Sequence, residues 1–167
     1  MRVITRVLLT AGVVATVAGL SVGASVAGRQ SAQDDSGMSS TVEDFSYPGA
    51  DKVLADRGIK LISGDGHLML VDCVNVNGLI EVRSLNSSGD HGSDPGHYCF
   101  RVSGTTGDLK LQLADAYQVK GDSHAVQATV TVDGQSNTVN VAKNGWTGVG
   151  VGAGSDAATL LELKATP

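Results

Sequence analysis

Aromatic side chains are scarce in this sequence: one Trp, three Tyr and two Phe among 167 residues. Sugar-binding β domains usually stack sugar faces on flat rings, which supply large contact areas. The candidates here are Trp146, Tyr47, Tyr98, Tyr117, Phe45 and Phe100, and Phe100 reads as a core residue. Trp146 lies in "KNGWTG", between strand-like runs. Its ring is expected to lid one end of the fold, since Trp is usually highly buried; an exposed binding platform is the alternative. Basic residues are also few. Twelve Lys and Arg stand against 17 Asp and Glu. No basic cluster occurs, so the electrostatic footprint of a nucleic-acid binder is missing. Most catalytic signatures are absent as well: no G-x-S-x-G elbow, no H-E-x-x-H, no C-x-x-C and no P-loop. "GVGVGAGSD" has glycines at 148, 150, 152 and 154. That is not the G-x-G-x-x-G spacing of a dinucleotide site, and no helix follows. It reads as a loose loop or a small-residue strand.

What is present begins with a secretory pattern. Arg2 and Arg6 form a positive n-region, Val7 to Val22 is uncharged and mostly apolar, and Ser25 and Ala27 sit at −3 and −1 of a cut before Gly28. No Arg-Arg pair and no nearby cysteine point to a twin-arginine or lipoprotein signal. A retained anchor over Val7 to Ala27 is the competing reading, at 21 residues just long enough to span a bilayer. The small-residue pattern favours cleavage and secretion. Residues 28–44 hold almost no bulky apolar side chains and read as a disordered linker. Residues 45–167 then form one folded domain. Cleavage leaves 10 Lys and Arg against 17 Asp and Glu, a formal charge of −7. Such a chain gains nothing from an anionic membrane. The partners left open are an extracellular protein or a neutral glycan. Cys73 and Cys99 are an even pair in an exported chain and are expected to form a disulfide.

"YPGADKVLADRG" is the one helical patch, with Pro48 near its start, Gly58 at its end, and Val53 and Leu54 facing inward together. The rest reads as short strands with Gly-rich turns. "IKLIS", "GDG" and "HLMLVDCV" form a hairpin signal, and "AVQATVTV" alternates cleanly before "DGQSN" and "TVNVAK". Leu109, Leu111 and Leu113 alternate with Lys110, Gln112 and Ala114. Asp72 falls on the face of Leu68 and Leu70, which requires either a bulge or a strand covered on both sides. The fold class is all-β: an antiparallel, jelly-roll-like β-sandwich of about 7–9 strands, with one short N-terminal helix and one disulfide. "IKLISGDGHLMLVDC", "YCFRVSGTTGDLKLQL" and "ATLLELKA" resemble small secreted proteins of actinobacteria without an assigned activity. The resemblance implies export and a β-sandwich, and carries over no site residues.

"NSSGDHGSDPGH", Asn86 to His97, concentrates candidate ligands: Asp90, His91, Asp94 and His97. Zinc takes His and Asp donors, and calcium takes several carboxylates. The same residues are what exposed turns are made of, and with no bulky apolar residue to pin it the loop is expected to be exposed, mobile and tolerant of substitution. No metal and no cofactor is therefore assigned. Three functions stay open: a non-catalytic binding module using Trp146 or this loop, a secreted protease inhibitor presenting loop 84–97, and a metal-dependent extracellular enzyme. Intact-mass analysis of culture supernatant is expected to give a mature N-terminus at or within a few residues of Gly28. Recovery of the full-length chain in the membrane fraction contradicts cleavage.

Overall fold

The structure, a computed structural model, describes residues 46–167. The signal and linker segments read at 1–27 and 28–44, and Phe45, lie outside the described residues. Helix α1 spans Ala50–Arg57, with Asp51 in its first turn and Arg57 in its last, as the helix dipole favours. Gly58 ends it at φ 64°, its N–H bonded to Leu54 O at 3.0 Å. Val53 packs on the core, but Leu54 stays 44% exposed. Neighbouring helical positions differ by about 100°, so this short helix turns one of the two inward and not both.

Nine strands follow: β1 (Lys60–Gly64), β2 (Leu68–Val71), β3 (Ile80–Ser84), β4 (His97–Val102), β5 (Gly107–Lys120), β6 (Ala125–Val132), β7 (Gln135–Val141), β8 (Trp146–Gly148) and β9 (Ala158–Thr166). Every pairing is antiparallel. The fold is thus all-β with one short helix and the Cys73–Cys99 disulfide. Hydrogen bonding joins the strands in the order β2-β4-β3-β5-β9-β6-β7, with β1 and β8 also on β5.

The 14-residue β5 serves two halves of the sheet. Along one edge it pairs with β1 and then, from Ala116 onward, with β3; along the other it pairs with β9 and then β8. The exchange happens where the register shifts between Lys110 and Ala116 and where Asp115 takes φ 53°. Such bulges bend a strand and increase its twist. Leu109, Leu111 and Leu113 are fully buried while Lys110 and Gln112 are exposed, so the alternation read in the sequence sets the faces of β5. Phe100, Ile80, Val82, Leu160 and Leu163 complete the centre of the core.

Four local expectations are corrected. "GDG" is not a hairpin turn: β1 pairs with β5 and β2 with β4. Alternating apolar residues fix which face a strand buries, not which strand it joins. Asp72 needs neither bulge nor second cover, because β2 stops at Val71 and Asp72 is exposed. Trp146 opens β8 rather than sitting between strands. The glycine run after it is tight, not loose. It forms the end of β8 and a 3-10 turn at Gly150–Ala153. A Cβ on Gly152 would lie 1.9 Å from Tyr117 O, and one on Gly148 would lie 2.2 Å from Gly152 O.

The turn expected over "DGQSN" is shorter than read: it is Asp133 and Gly134 alone, and β7 already begins at Gln135. Asp133 and Gly134 have φ 48° and 75°, and Val132 pairs with Gln135, which is a two-residue type I′ hairpin. Gly152→Ala is expected to cost roughly 1–3 kcal/mol by overpacking. Gly89→Ala, whose Cβ would meet nothing closer than 3.5 Å, should stay within about ±0.5 kcal/mol, as surface changes usually do. Urea unfolding of both variants checks this, and equal losses contradict the packing account.

Candidate functional site: the ionic network beneath residues 85–96

Strand alternation assembles the site. Arg83 pairs with His97, and Glu81 pairs with both Cys99 and Lys120. With a side-chain period of two, these residues share the face opposite Val82, Tyr98 and Phe100. His97 Nε2 lies 2.9 Å from Glu81 Oε2, and its Nδ1 lies 2.8 Å from Asp94 Oδ2. Lys120 Nζ donates to Glu81 Oε1 at 2.6 Å, and Arg83 Nη1 donates to Asp94 Oδ2 at 3.1 Å. Glu81 and His97 are buried. The hydrogen bond from His97, aided by the charges of Arg83 and His97 and only partly opposed by desolvation, holds the Asp94 carboxyl below its ordinary range.

Asp90 organises the loop itself. Its carboxylate has no solvent exposure. Arg57 Nε donates to Oδ1 at 2.7 Å, Gly92 N–H donates to the same oxygen at 2.9 Å, and Gly96 N–H donates to Oδ2 at 2.9 Å. Arg57 also donates to His97 O at 2.9 Å and lies over the Tyr98 ring, 5.2 Å from its centroid. Tyr98 returns a hydrogen bond to Arg57 O at 2.8 Å, and burial foremost pushes its phenol up to about 12. Burial alone would raise the Asp90 pKa. The Arg57 hydrogen bond, the two glycine N–H groups and the Arg57 charge together outweigh it, and the net shift is downward from 3.8.

The expectation of an exposed loop therefore fails at Asp90 and His97, which are buried. The loop has no apolar anchor, but a buried ion pair anchors it instead. Nor do the four predicted ligands meet at one point. Asp90 turns to Arg57, Asp94 and His97 bind each other, and His91 is exposed, with its backbone N–H on Asp56 O. Sequence reading missed Arg57, Glu81 and Lys120. Glu81 did carry a signal, an acid between Ile80 and Val82 in a strand too apolar to be half-solvated.

Cys73 Sγ, His97 Nε2 and Cys99 Sγ lie within 4.8 Å of one another. The two sulfurs are bonded to each other, and a metal needs the thiolate. In the oxidised protein this group is a staple beside a histidine. The adjacent cavity, bordered by Arg57, Cys73, Asp94 and His97, measures about 100 Å³, well under the ~300 Å³ at which small-molecule sites begin. His67 and His124 are engaged as well. His67 Nδ1 lies 3.0 Å from Ser103 O and 3.5 Å from Ser103 Oγ, so the nitrogen that would activate the hydroxyl already serves a carbonyl. His124 bonds Asp122 through Nδ1 at 2.7 Å and Gly104 O through Nε2 at 3.2 Å. The Asp122 hydrogen bond is the main reason its pKa is raised.

Two surface features remain open. A concavity of about 400 Å³ beside β2 is lined by Tyr47, Pro48, Gly64, Gly66, Leu68 and Met69 among others. Trp146 is 44% exposed, with Lys120 Nζ 5.9 Å from its ring centroid. No protein-family model matches the chain, and no curated protein matches it in sequence.

The depressed Asp90 pKa has a defined pH signature. Its contribution to stability is fully present above 3.8 and is lost as pH falls through the lower folded-state value. Asp90→Asn is expected to cost roughly 2–4 kcal/mol near neutral pH, somewhat under the ~3–5 of fully buried pairs because Arg57 keeps some solvent contact. In denaturant titrations the gap between the two proteins should narrow as pH drops from about 5 toward 2. A gap independent of pH overturns the assignment.

Proposed function

We propose that this protein is an exported, non-catalytic domain that binds an extracellular protein. The observation that carries this reading is the contrast between its two kinds of site. The histidine–carboxylate centre is closed and internally satisfied, whereas the concavity beside β2 is open and apolar, with Met69 40% exposed at its edge. Apolar surface that stays wet is destabilised relative to contact with a partner, by about 25 cal/mol per Å². Export is supported by the N-terminal pattern and by the disulfide, which persists in oxidising compartments. Among the described residues no helix is long and apolar enough to cross a membrane.

The protease-inhibitor reading needs a loop that stands clear of the body. Residues 85–96 are instead drawn down by Asp90 onto Arg57 and by the His91 N–H onto Asp56. A neutral glycan remains the second reading because of the half-exposed Trp146 ring. The protein reading is preferred because the concavity offers aliphatic and thioether side chains rather than a row of rings.

A photo-crosslinking residue placed at Met69 is expected to trap discrete protein adducts on producing cells. Met69→Asp should reduce binding of the labelled protein to those cells by about tenfold, as the loss of ~1.4 kcal/mol implies. Loss of binding on Trp146→Ala with Met69→Asp unaffected, together with competition by neutral polysaccharide, would establish the glycan reading in its place.

A further inference from the structure

Four strands have a partner on one side only, β1, β2, β7 and the three-residue β8, and the three longer ones are treated differently. β1 is covered by the chain before α1: Ser46 bridges to Ser63, and Tyr47 N–H bonds Ile62 O. β2 is met by Tyr47, whose hydroxyl accepts the Leu70 N–H at 3.1 Å. β7 pairs with β6 alone, and among the described residues no loop hydrogen bond reaches its outer side.

Strand β7 reads QSNTVNV. Exposed edges are normally blunted by charge, proline or a bulge. This strand has no charged residue and no proline, and its seven pairs with β6 run without a register shift. The type I′ turn makes Val132 and Gln135 a hydrogen-bonded pair, so Asn137, Val139 and Val141 also bond toward β6. The N–H and C=O groups of Ser136, Thr138 and Asn140 therefore point outward. Their side chains lie on the open face, tied to β6 by bonds of Ser136 to Thr131 at 2.8 Å, Thr138 to Thr129 at 3.3 Å and Asn140 to Gln127 at 3.1 Å. The strand is held flat and extended, with its outer groups in register.

The ends of β7 carry opposite charge. Asp133 precedes it, with a second acid, Asp156, near enough to raise its pKa. Lys143 follows it, near enough to His124 to act on its charge. Asp133 and Lys143 lie symmetrically about Thr138 in the sequence.

We propose that β7 is a self-association edge, where two copies of this chain pair antiparallel about a two-fold axis at Thr138. In that register Thr138 meets Thr138 of the second copy, and Ser136 meets Asn140. The outward N–H and C=O groups of all three residues are then satisfied. The acidic end of each β7 lies against the basic end of the other. Two acidic chains otherwise repel, and this uncharged strand with opposite end charges is the surface where that repulsion is removed. The two-fold axis closes the assembly at two copies. The interface is small, so the dimer is dependent on concentration. The inference is independent of the partner proposed for the concavity beside β2, which lies on a different strand edge.

Sedimentation equilibrium of the purified protein tests this. The expected result is a reversible dimer whose population rises with concentration. Thr138→Lys sets two ammonium groups across the axis and should weaken association by at least about tenfold, while far-UV circular dichroism and melting stay close to the parent. Thr138→Cys should give a covalent dimer under mild oxidation, since hydrogen-bonded antiparallel partners lie about 5.5 Å apart at Cα, within disulfide reach. Ser136→Cys alone should not. A parent that stays monomeric to about 1 mM, above the range where even weak specific complexes form, overturns the proposal. So does an assembly larger than two, a Thr138→Lys dimer as tight as the parent, or covalent dimer formed equally by Ser136→Cys.

Discussion

A carboxylate removed from water must be met by donors, or the charge is too costly to keep. Asp90 satisfies that requirement with three donors from two parts of the chain: the guanidinium of Arg57 at the end of α1, and the backbone N–H groups of Gly92 and Gly96 within its own loop. Each donor is placed by something else. Arg57 is fixed by the helix end that Gly58 terminates, by the Tyr98 ring beneath it and by His97 O. Gly96 takes φ 80° with Ser84 O where a Cβ would stand, at 2.5 Å. The ion pair therefore couples the helix, the loop and β4, and the loop's course follows from it. Buried pairs often add little net stability, yet removing one partner is costly. The value of this pair lies in specifying a single path for a loop that has no apolar residue to choose one.

The disulfide acts on the same strand from the other side. Cys99 lies on the face of His97 and Glu81, and Cys73 follows β2. The bond closes the connection that carries β3, which joins the sheet between β4 and β5. In the chain-entropy account such a closure of about 27 residues contributes roughly 3.5 kcal/mol. The histidine beside the sulfurs is occupied by two carboxylates, so the geometry that resembles a metal centre is completed by ion pairing and by a covalent bond.

Much of the fold was legible because its signals are local. The helix limits, the presence of a turn at Asp133 and the alternating leucines of β5 each depend on neighbours within a few residues. Strand partnership depends on the whole sheet, and there the reading failed: the chain between Ile62 and Leu68 looks like a hairpin, yet its two arms join different strands. The candidate site was half legible for the same reason. Asp90, Asp94 and His97 stood out as a cluster, but Arg57 and Glu81, which bind Asp90 and His97, are 33 and 16 residues from them, and Lys120 is 39 residues from the Glu81 it binds. Composition marked the loop as solvent-exposed. It could not show that Asp90 would find the arginine at the end of α1.

The two halves served by β5 differ in how they use polar residues. On the β3–β4 side, Glu81, Asp90 and His97 are buried and each is met by a partner; every buried side-chain nitrogen and oxygen among the described residues has a partner. On the β6–β7 side, neutral hydroxyls and amides face outward and pair across strands at 2.8–3.3 Å. Inward ion pairs and hydrogen bonds fix the geometry of Asp90, Glu81 and His97. Outward neutral pairs leave the backbone of the last strand available. The same sheet is thus cross-linked by ion pairs where its sequence looks reactive, and held by neutral hydrogen bonds where its sequence looks bland.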